Sequence, residues 1–215
     1  MLIIAHRGYS SQAPENTLAA FKMALKARAK AMEFDVHQTK DGRLAIIHDA
    51  DLKRTAEKSG KISRMTWKEL RRADVGSWFD TRFRGETIPS LEDVLDLTQG
   101  RAEIHVELKA GSEKYPGIEE NLARVLSARK AWAWAVVSSF DHKALKVLRA
   151  AAPQARLGYL LGATPLSRAW RETAALGAES LNVSARQINA RLARENARLD
   201  GLNARLARAD ERLLG

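Results

Sequence analysis

Three runs in this 215-residue chain end apolar stretches with groups able to do acid–base and metal chemistry. In His6-Arg7-Gly8 an imidazole and a guanidinium follow the apolar residues 2–5, and the glycine permits close backbone approach. Taken alone, the tripeptide reads first as a surface histidine beside a solvated arginine. In Glu33-Phe34-Asp35 two carboxylates at i and i+2 of a strand share one face, about 7 Å apart. A solvated edge strand would explain the pair in isolation. However, Met32, Phe34 and Val36 also demand burial, so both faces read as enclosed. Enclosed carboxylates repel unless a cation lies between them, and hard divalent cations such as Mg2+ and Ca2+ take such oxygens. In Glu107-Leu108-Lys109, Glu107 could complete a three-carboxylate site and Lys109 could meet an anionic oxygen of a substrate. An internal ion pair is the other reading.

His48-Asp49 joins these runs through topology. Lys40-Asp41-Gly42 reads as a turn, and residues 44–47 run back antiparallel, which returns His48 to the neighbourhood of Asp35. Two histidines flanking a metal suit hydrolysis of a phosphodiester. One takes a proton from the attacking oxygen and the other gives one to the leaving oxygen, since imidazole titrates near neutral pH. The metal and the basic side chains stabilise charge building on the phosphoryl oxygens.

The elements that must position these groups alternate between strand and helix patterns, as in βα units around a parallel sheet. Strands are expected at residues 2–5, 32–36, 102–108, 135–139, 156–161 and 180–183, with 44–47 as a hairpin arm. Pro14-Glu15-Asn16-Thr17 starts a helix whose apolar side is Leu18, Phe21, Met23 and Leu25. Thr66 and Ser90 read as helix caps within an insertion at about residues 51–100, and Ser90 with Asp93 resembles a capping box. After residue 183 the pattern changes. Ile188, Leu192, Glu195, Leu199, Leu202, Leu206, Ala209 and Leu213 fall on alternating steps of four and three, an a/d seam. The seam describes a long amphipathic helix lying on its own barrel, or a coiled coil that makes a homo-oligomer through residues 185–215.

Composition narrows the classes. An apolar fraction of 45% with 29% charged residues is that of a globular protein. The absence of cysteine excludes disulfides, thiolate metal sites and a cysteine nucleophile. A net charge of +10 suits a phosphorylated substrate better than nucleic acid, because the arginines are scattered and few aromatics interleave them. The first residues lack a leader pattern and no run approaches the ~20 apolar residues of a membrane span. A cytoplasmic protein without stable membrane insertion is expected.

The runs His6-Arg7-Gly8, Pro14-Glu15-Asn16-Thr17, Glu33-Phe34-Asp35-Val36, Thr39-Lys40-Asp41-Gly42, His48-Asp49, Leu52-Lys53-Arg54-Thr55, Gly85-Glu86-Thr87-Ile88-Pro89-Ser90-Leu91 and Glu107-Leu108-Lys109 together resemble the glycerophosphodiester phosphodiesterase family. Their order and spacing agree over roughly residues 1–183. The resemblance implies a TIM (β/α)8-type barrel with its site at the C-terminal ends of the strands. It implies that Glu33, Asp35 and Glu107 bind one divalent cation, Mg2+ or Ca2+, and that His6 and His48 are the acid/base pair. Arg7 and Lys109 would hold the phosphate, and Phe140 matches a position near the glycerol pocket. In the family a small glycerophosphodiester is cleaved to sn-glycerol 3-phosphate and an alcohol, with the substrate's own glycerol hydroxyl attacking phosphorus. Trp78 and Phe79 could wall the pocket, and His142 reads as a surface residue.

The family continues into a strand written Trp-Thr-Val-Asn and a last strand ending near Thr-Asp, and neither run follows Val183. The expected architecture is therefore a phosphodiesterase barrel over residues 1–183 that lacks its last two strands, with a heptad-patterned tail at 184–215. The exposed edges would then lie beside the first and sixth parallel strands. Two other functions fit these features: a weakly active or inactive barrel that self-associates through the tail, and lysophospholipase D-like cleavage of lysophospholipids.

Overall fold

Two periodicities build the fold, and a computed structural model describes them over residues 2–56 and 58–184. The strands are β1 (Ile4–His6), β2 (Ala31–Gln38), β3 (Leu44–Ile46), β4 (Glu103–Leu108), β5 (Ala135–Ser139), β6 (Arg156–Leu160) and β7 (Ser180–Asn182). The helices are α1 (Leu18–Lys26), α2 (Lys53–Ala56), α3 (Trp67–Leu70), α4 (Leu91–Thr98), α5 (Ile118–Ala128), α6 (His142–Ala151) and α7 (Leu166–Leu176). One sheet runs β1-β2-β4-β5-β6-β7, all parallel, with β3 antiparallel on β2. Sequentially ordered parallel strands with helices between them form an α/β half-barrel. Among the described residues β1 and β7 are the edge strands. The heptad seam, and with it the expected tail helix and self-association, lies outside the described residues.

The sheet has an apolar face and a polar face. Met32, Phe34 and Val36 of β2 and Ile104, Val106 and Leu108 of β4 are fully buried. They pack in one cluster with Phe21 of α1, Leu91 of α4, Leu122 of α5 and Leu145 of α6. Burial of each such side chain stabilises by about 1.5–3 kcal/mol, so this layer fixes the strands. The intervening residues, Glu33, Asp35 and His37 on β2 and Glu103, His105 and Glu107 on β4, lie on the other face. Strand register then sets them in rows, His6 beside Glu33 beside His105, and Asp35 beside Glu107 beside Ser138.

Local chemistry sets the helix starts as expected. The Thr17 hydroxyl accepts from the Ala20 N–H, and both Thr66/Glu69 and Ser90/Asp93 form capping boxes. The buried stripe of α1 differs from the expected one. Ala20, Phe21 and Ala24 are buried, and Leu18 and Leu25 pack partly beside them. Met23 is five residues from Leu18 and so falls off the 3.6-residue stripe. The segment after β3 builds a second small core from Ile47, Leu52, Ile62, Leu70, Val75 and Ile88. No helix among the described residues is long and apolar enough to cross a membrane.

Candidate active site

The C-terminal end of β1 turns sharply. Arg7 and Gly8 are both left-handed, with φ of 55° and 80°. A Cβ on Gly8 would lie 2.8 Å from the Ala20 Cβ and 2.9 Å from the Ala20 carbonyl carbon, so only glycine lets this turn rest on α1. The turn aims the Arg7 backbone N–H at Glu33, donating to Oε2 at 3.0 Å. It also sends the guanidinium inward, NH1 donating to Glu15 Oε1 at 3.0 Å while Nε lies 3.4 Å from Asp35 Oδ2. His6 Nε2 stands 3.8 Å from Glu33 Oε2, and its side chain is 67% exposed. Asn16, also left-handed at φ 57°, donates from Nδ2 to Asp35 Oδ2 at 2.8 Å.

Three carboxylates converge in the middle of the rim. Ligand oxygens of Glu33, Asp35 and Glu107 lie within 4.8 Å of one another. Lys109 Nζ donates to Glu107 Oε1 at 2.7 Å and lies 3.3 Å from Asp35 Oδ1. Asp35 is 1% exposed, and its Oδ1 accepts no hydrogen bond. Burial first, and then the charges of Asp35 and Glu107, push the Glu33 carboxyl up to about 8, against the Arg7 N–H. A pocket that opposes its own carboxylate charge and leaves a buried oxygen without a hydrogen bond, with only the Lys109 charge near it, fits a hard divalent cation. Burial alone would lower the Lys109 pKa, but the Glu107 hydrogen bond and the Asp35 charge raise it overall. Burial and the Arg7 charge lower that of His6, which favours its neutral, proton-accepting form.

The hairpin delivers His48. Ile47 N–H donates to the Asp35 carbonyl at 3.0 Å, and His37 Nε2 donates to the His48 carbonyl at 3.0 Å. Because that carbonyl can only accept, a neutral His37 carries its proton on Nε2, and Nδ1 accepts from the Tyr115 hydroxyl at 2.6 Å. Burial holds His37 down at about 4 and pushes Tyr115 up to about 12, in keeping with a neutral pair. The His48 ring donates from Nδ1 to Asp49 Oδ1 at 2.6 Å. Arg54 then grips Asp49 through Nε at 2.8 Å, and Glu15 through NH1 at 2.9 Å and NH2 at 2.6 Å.

The structure therefore gathers His6, Arg7, Glu33, Asp35, Glu107 and Lys109 directly, and joins His48 to them through Asp49, Arg54 and Glu15. Phe140 follows β5, is 56% exposed and lies beside Gly162. Ser138, two residues before it on β5, pairs with Glu107. His142 is not the surface residue expected. Its ring stacks on Tyr159 at 3.6 Å and donates to the Leu160 carbonyl at 2.9 Å, which fastens α6 to β6. Trp78 sits over Arg54 at 6.0 Å, its indole N–H tied to the Val75 carbonyl. Sequence reasoning gave no site role to Glu15, Asn16, His37 or Arg54. The period of two along β2 places His37 on the face of Glu33 and Asp35, whereas Arg54, Glu15 and Asn16 lie in family-like runs that by themselves assign them no role.

Known proteins share this arrangement's sequence and fold. The glycerophosphoryl diester phosphodiesterase family model matches residues 6–212, continuing past residue 183, where the recognisable motifs stop. A glycerophosphodiester phosphodiesterase of Caldanaerobacter subterraneus subsp. tengcongensis is 39% identical over 160 residues, 74% of this chain and 66% of the relative. One from Bacillus altitudinis is 41% identical over 160 residues, 74% of this chain and 65% of the relative. The chain thus spans about two thirds of the length of these curated relatives. Among solved structures, an Oleispira antarctica phosphodiesterase in complex with the product sn-glycerol-3-phosphate superposes with a TM-score of 0.80 at 30% identity, covering 91% of this chain and 79% of that one. A glycerophosphodiester phosphodiesterase from Agrobacterium tumefaciens gives a TM-score of 0.68 at 33% identity, covering 75% and 67%. With a family match over nearly its whole length and a rim built from the motifs it shares, the chain belongs to the glycerophosphoryl diester phosphodiesterase family.

Proposed function

We propose that the chain hydrolyses small glycerophosphodiesters to sn-glycerol 3-phosphate and an alcohol in a divalent-cation-dependent reaction. The observation that carries this reading is the convergence of Glu33, Asp35 and Glu107 within 4.8 Å, with Arg7, Lys109 and His6 around them and His48 linked through Asp49, Arg54 and Glu15. Glu33, Asp35 and Glu107 are the residues that would hold the cation, Mg2+ or Ca2+. When bound it supplies charge stabilisation at the phosphoryl oxygens.

The chain's own groups do the rest. Arg7 and Lys109 place cationic side chains where the phosphate would lie and hold its unbridged oxygens. His6 takes the proton of the attacking glycerol hydroxyl, and partial desolvation with the Arg7 charge lowers its pKa in keeping with that role. As that oxygen bonds to phosphorus, the bond from phosphorus to the alcohol oxygen breaks, and His48 gives the departing oxygen its proton. A five-membered cyclic phosphate remains. Water then opens it with the two histidines exchanging roles, and sn-glycerol 3-phosphate leaves. His37, Tyr115 and Asn16 touch none of the reacting atoms in this scheme; they hold His48 and Asp35 in place.

The test is release of sn-glycerol 3-phosphate from glycerophosphocholine by purified protein, with and without EDTA. Activity restored by Mg2+ or Ca2+ and lost in His6→Ala is the expected result. EDTA-insensitive turnover, or full turnover in His6→Ala, would overturn the reading.

A further inference from the structure

Arg54 stands outside the metal cluster, yet it closes a chain of alternating charges across the rim. Asp35 lies 3.4 Å from Arg7, and Arg7 donates to Glu15 at 3.0 Å. Glu15 receives two arms of Arg54, at 2.9 and 2.6 Å. Arg54 reaches Asp49 with Nε at 2.8 Å and NH2 at 3.3 Å, and Asp49 accepts from His48 Nδ1 at 2.6 Å. Glu15 is on the loop after β1 and Asp49 on the loop after β3, and this guanidinium bridges the two carboxylates.

We propose that Arg54 is a positioning residue that, anchored by Glu15, holds Asp49 against His48 Nδ1 so that His48 Nε2 faces the leaving oxygen. The inference rests on the reading of His48 as the group that protonates that oxygen.

The chemistry leaves one arrangement. An ionised carboxylate only accepts, so Asp49 takes the Nδ1 proton of His48, and a protonated His48 carries the proton it gives to the leaving oxygen on Nε2. Asp49 stays ionised because the Arg54 hydrogen bond, outweighing its partial burial, holds its carboxyl down at about 2. A planar fork can serve two carboxylates at once; an ammonium at the same place is a point charge and cannot keep both in register. Arg54 is itself confined. Trp78 covers it at 6.0 Å, and the Trp78 indole is tied to the Val75 carbonyl at 2.9 Å. This is more constraint than an isolated surface ion pair carries. It also gives the segment after β3 a part in the site.

Two substrates separate this role from a structural staple. The choline alkoxide of glycerophosphocholine needs a proton to leave. The p-nitrophenyl ester of glycerol phosphate departs as a stable phenolate and needs none. Arg54→Met and Asp49→Asn are expected to lower kcat on glycerophosphocholine by about tenfold or more and to leave the p-nitrophenyl ester within about twofold of the parent. Arg54→Lys, which keeps the charge and most of the stem, is expected to show the same selective loss at smaller size, and it carries the test if Arg54→Met does not fold. Equal slowing of both esters in Arg54→Met and Arg54→Lys, or no slowing in either, overturns the inference. His48→Ala locates the failure. If it spares the p-nitrophenyl ester while the Arg54 variants do not, the positioning role alone falls. If it slows both esters alike, the role falls together with the reading of His48 as the acid.

Discussion

β2 and β4 each carry two molecules' worth of chemistry on opposite faces. Outward lie Met32, Phe34, Val36, Ile104, Val106 and Leu108, all fully buried under the helices. Inward, one residue away each time, lie Glu33, Asp35, Glu103, His105 and Glu107. The outward face removes apolar surface from water and stabilises the fold. The inward face takes carboxylates out of water and works against it, which is why the Glu33 carboxyl is pushed so far up. The same strands thus separate what holds the barrel together from what the barrel is for, and the comparison can be broken by crossing single residues from one face to the other.

The largest expected effect is on the inward face. Asp35→Ala removes the central carboxylate, the partner of Arg7, Lys109 and Asn16. Cleavage of glycerophosphocholine should fall by about 10⁴-fold, or about 5 kcal/mol of barrier. The melting temperature with EDTA present should change little by comparison. A variant that retains a tenth of the parent kcat/KM would remove Asp35 from the working site. Next in size is its neighbour on the outward face. Phe34 packs edge-to-face on Phe21, with ring centroids 5.6 Å apart. Phe34→Ala should cost about 3–4 kcal/mol of stability in urea unfolding, through lost burial and the cavity left behind. Activity per folded molecule, at low temperature and with cation present, should stay within a few-fold. A collapse of activity in protein that is still folded would show that the two faces are coupled rather than separate.

Much of this division is legible in the sequence because it obeys a period of two. Met32-Glu33-Phe34-Asp35-Val36 shows both faces of β2 at once, and Ile104 to Leu108 repeats the pattern. The hairpin is legible from Lys40-Asp41-Gly42, whose glycine takes φ 80°, and the start of α4 from the Ser90/Asp93 capping box. Contacts between distant loops are not legible in this way. Glu15 and Arg54 are 39 residues apart, and no local pattern says that one guanidinium bridges Glu15 to Asp49. His142 misleads for the opposite reason. A histidine at the first position of a helix looks solvated until β6 brings Tyr159 beneath its ring. Where side chains are positioned by their own strand, the sequence carries the answer; where two loops meet, only the packed chain does.

The smallest expected effect lies in the pH dependence of stability and concerns Glu33. Burial and the Asp35 charge raise its carboxyl from 4.5 to about 8 in the folded, cation-free protein, whereas the unfolded chain keeps the ordinary value. A raised carboxyl favours the folded state while the proton is held. That contribution is full below the unfolded value and is lost as pH rises through the folded one. Between about 4.5 and about 8, cation-free protein should therefore lose stability from this group with each step in pH. Glu33→Gln cannot lose a proton there, so its melting temperature in EDTA should fall less over the same range. One pH unit in that window is worth at most about 1.4 kcal/mol and one kcal/mol corresponds to about 2–4 °C for a chain of this size, so the slopes should differ by a few degrees per pH unit. Mg2+ or Ca2+ should reverse the sign in the parent, because cation binding requires the ionised carboxylates that the cation-free pocket resists, and should do little for the glutamine variant. Parallel pH profiles for the two proteins in EDTA would mean that the inward face does not bear the electrostatic cost that sets it apart from the outward one.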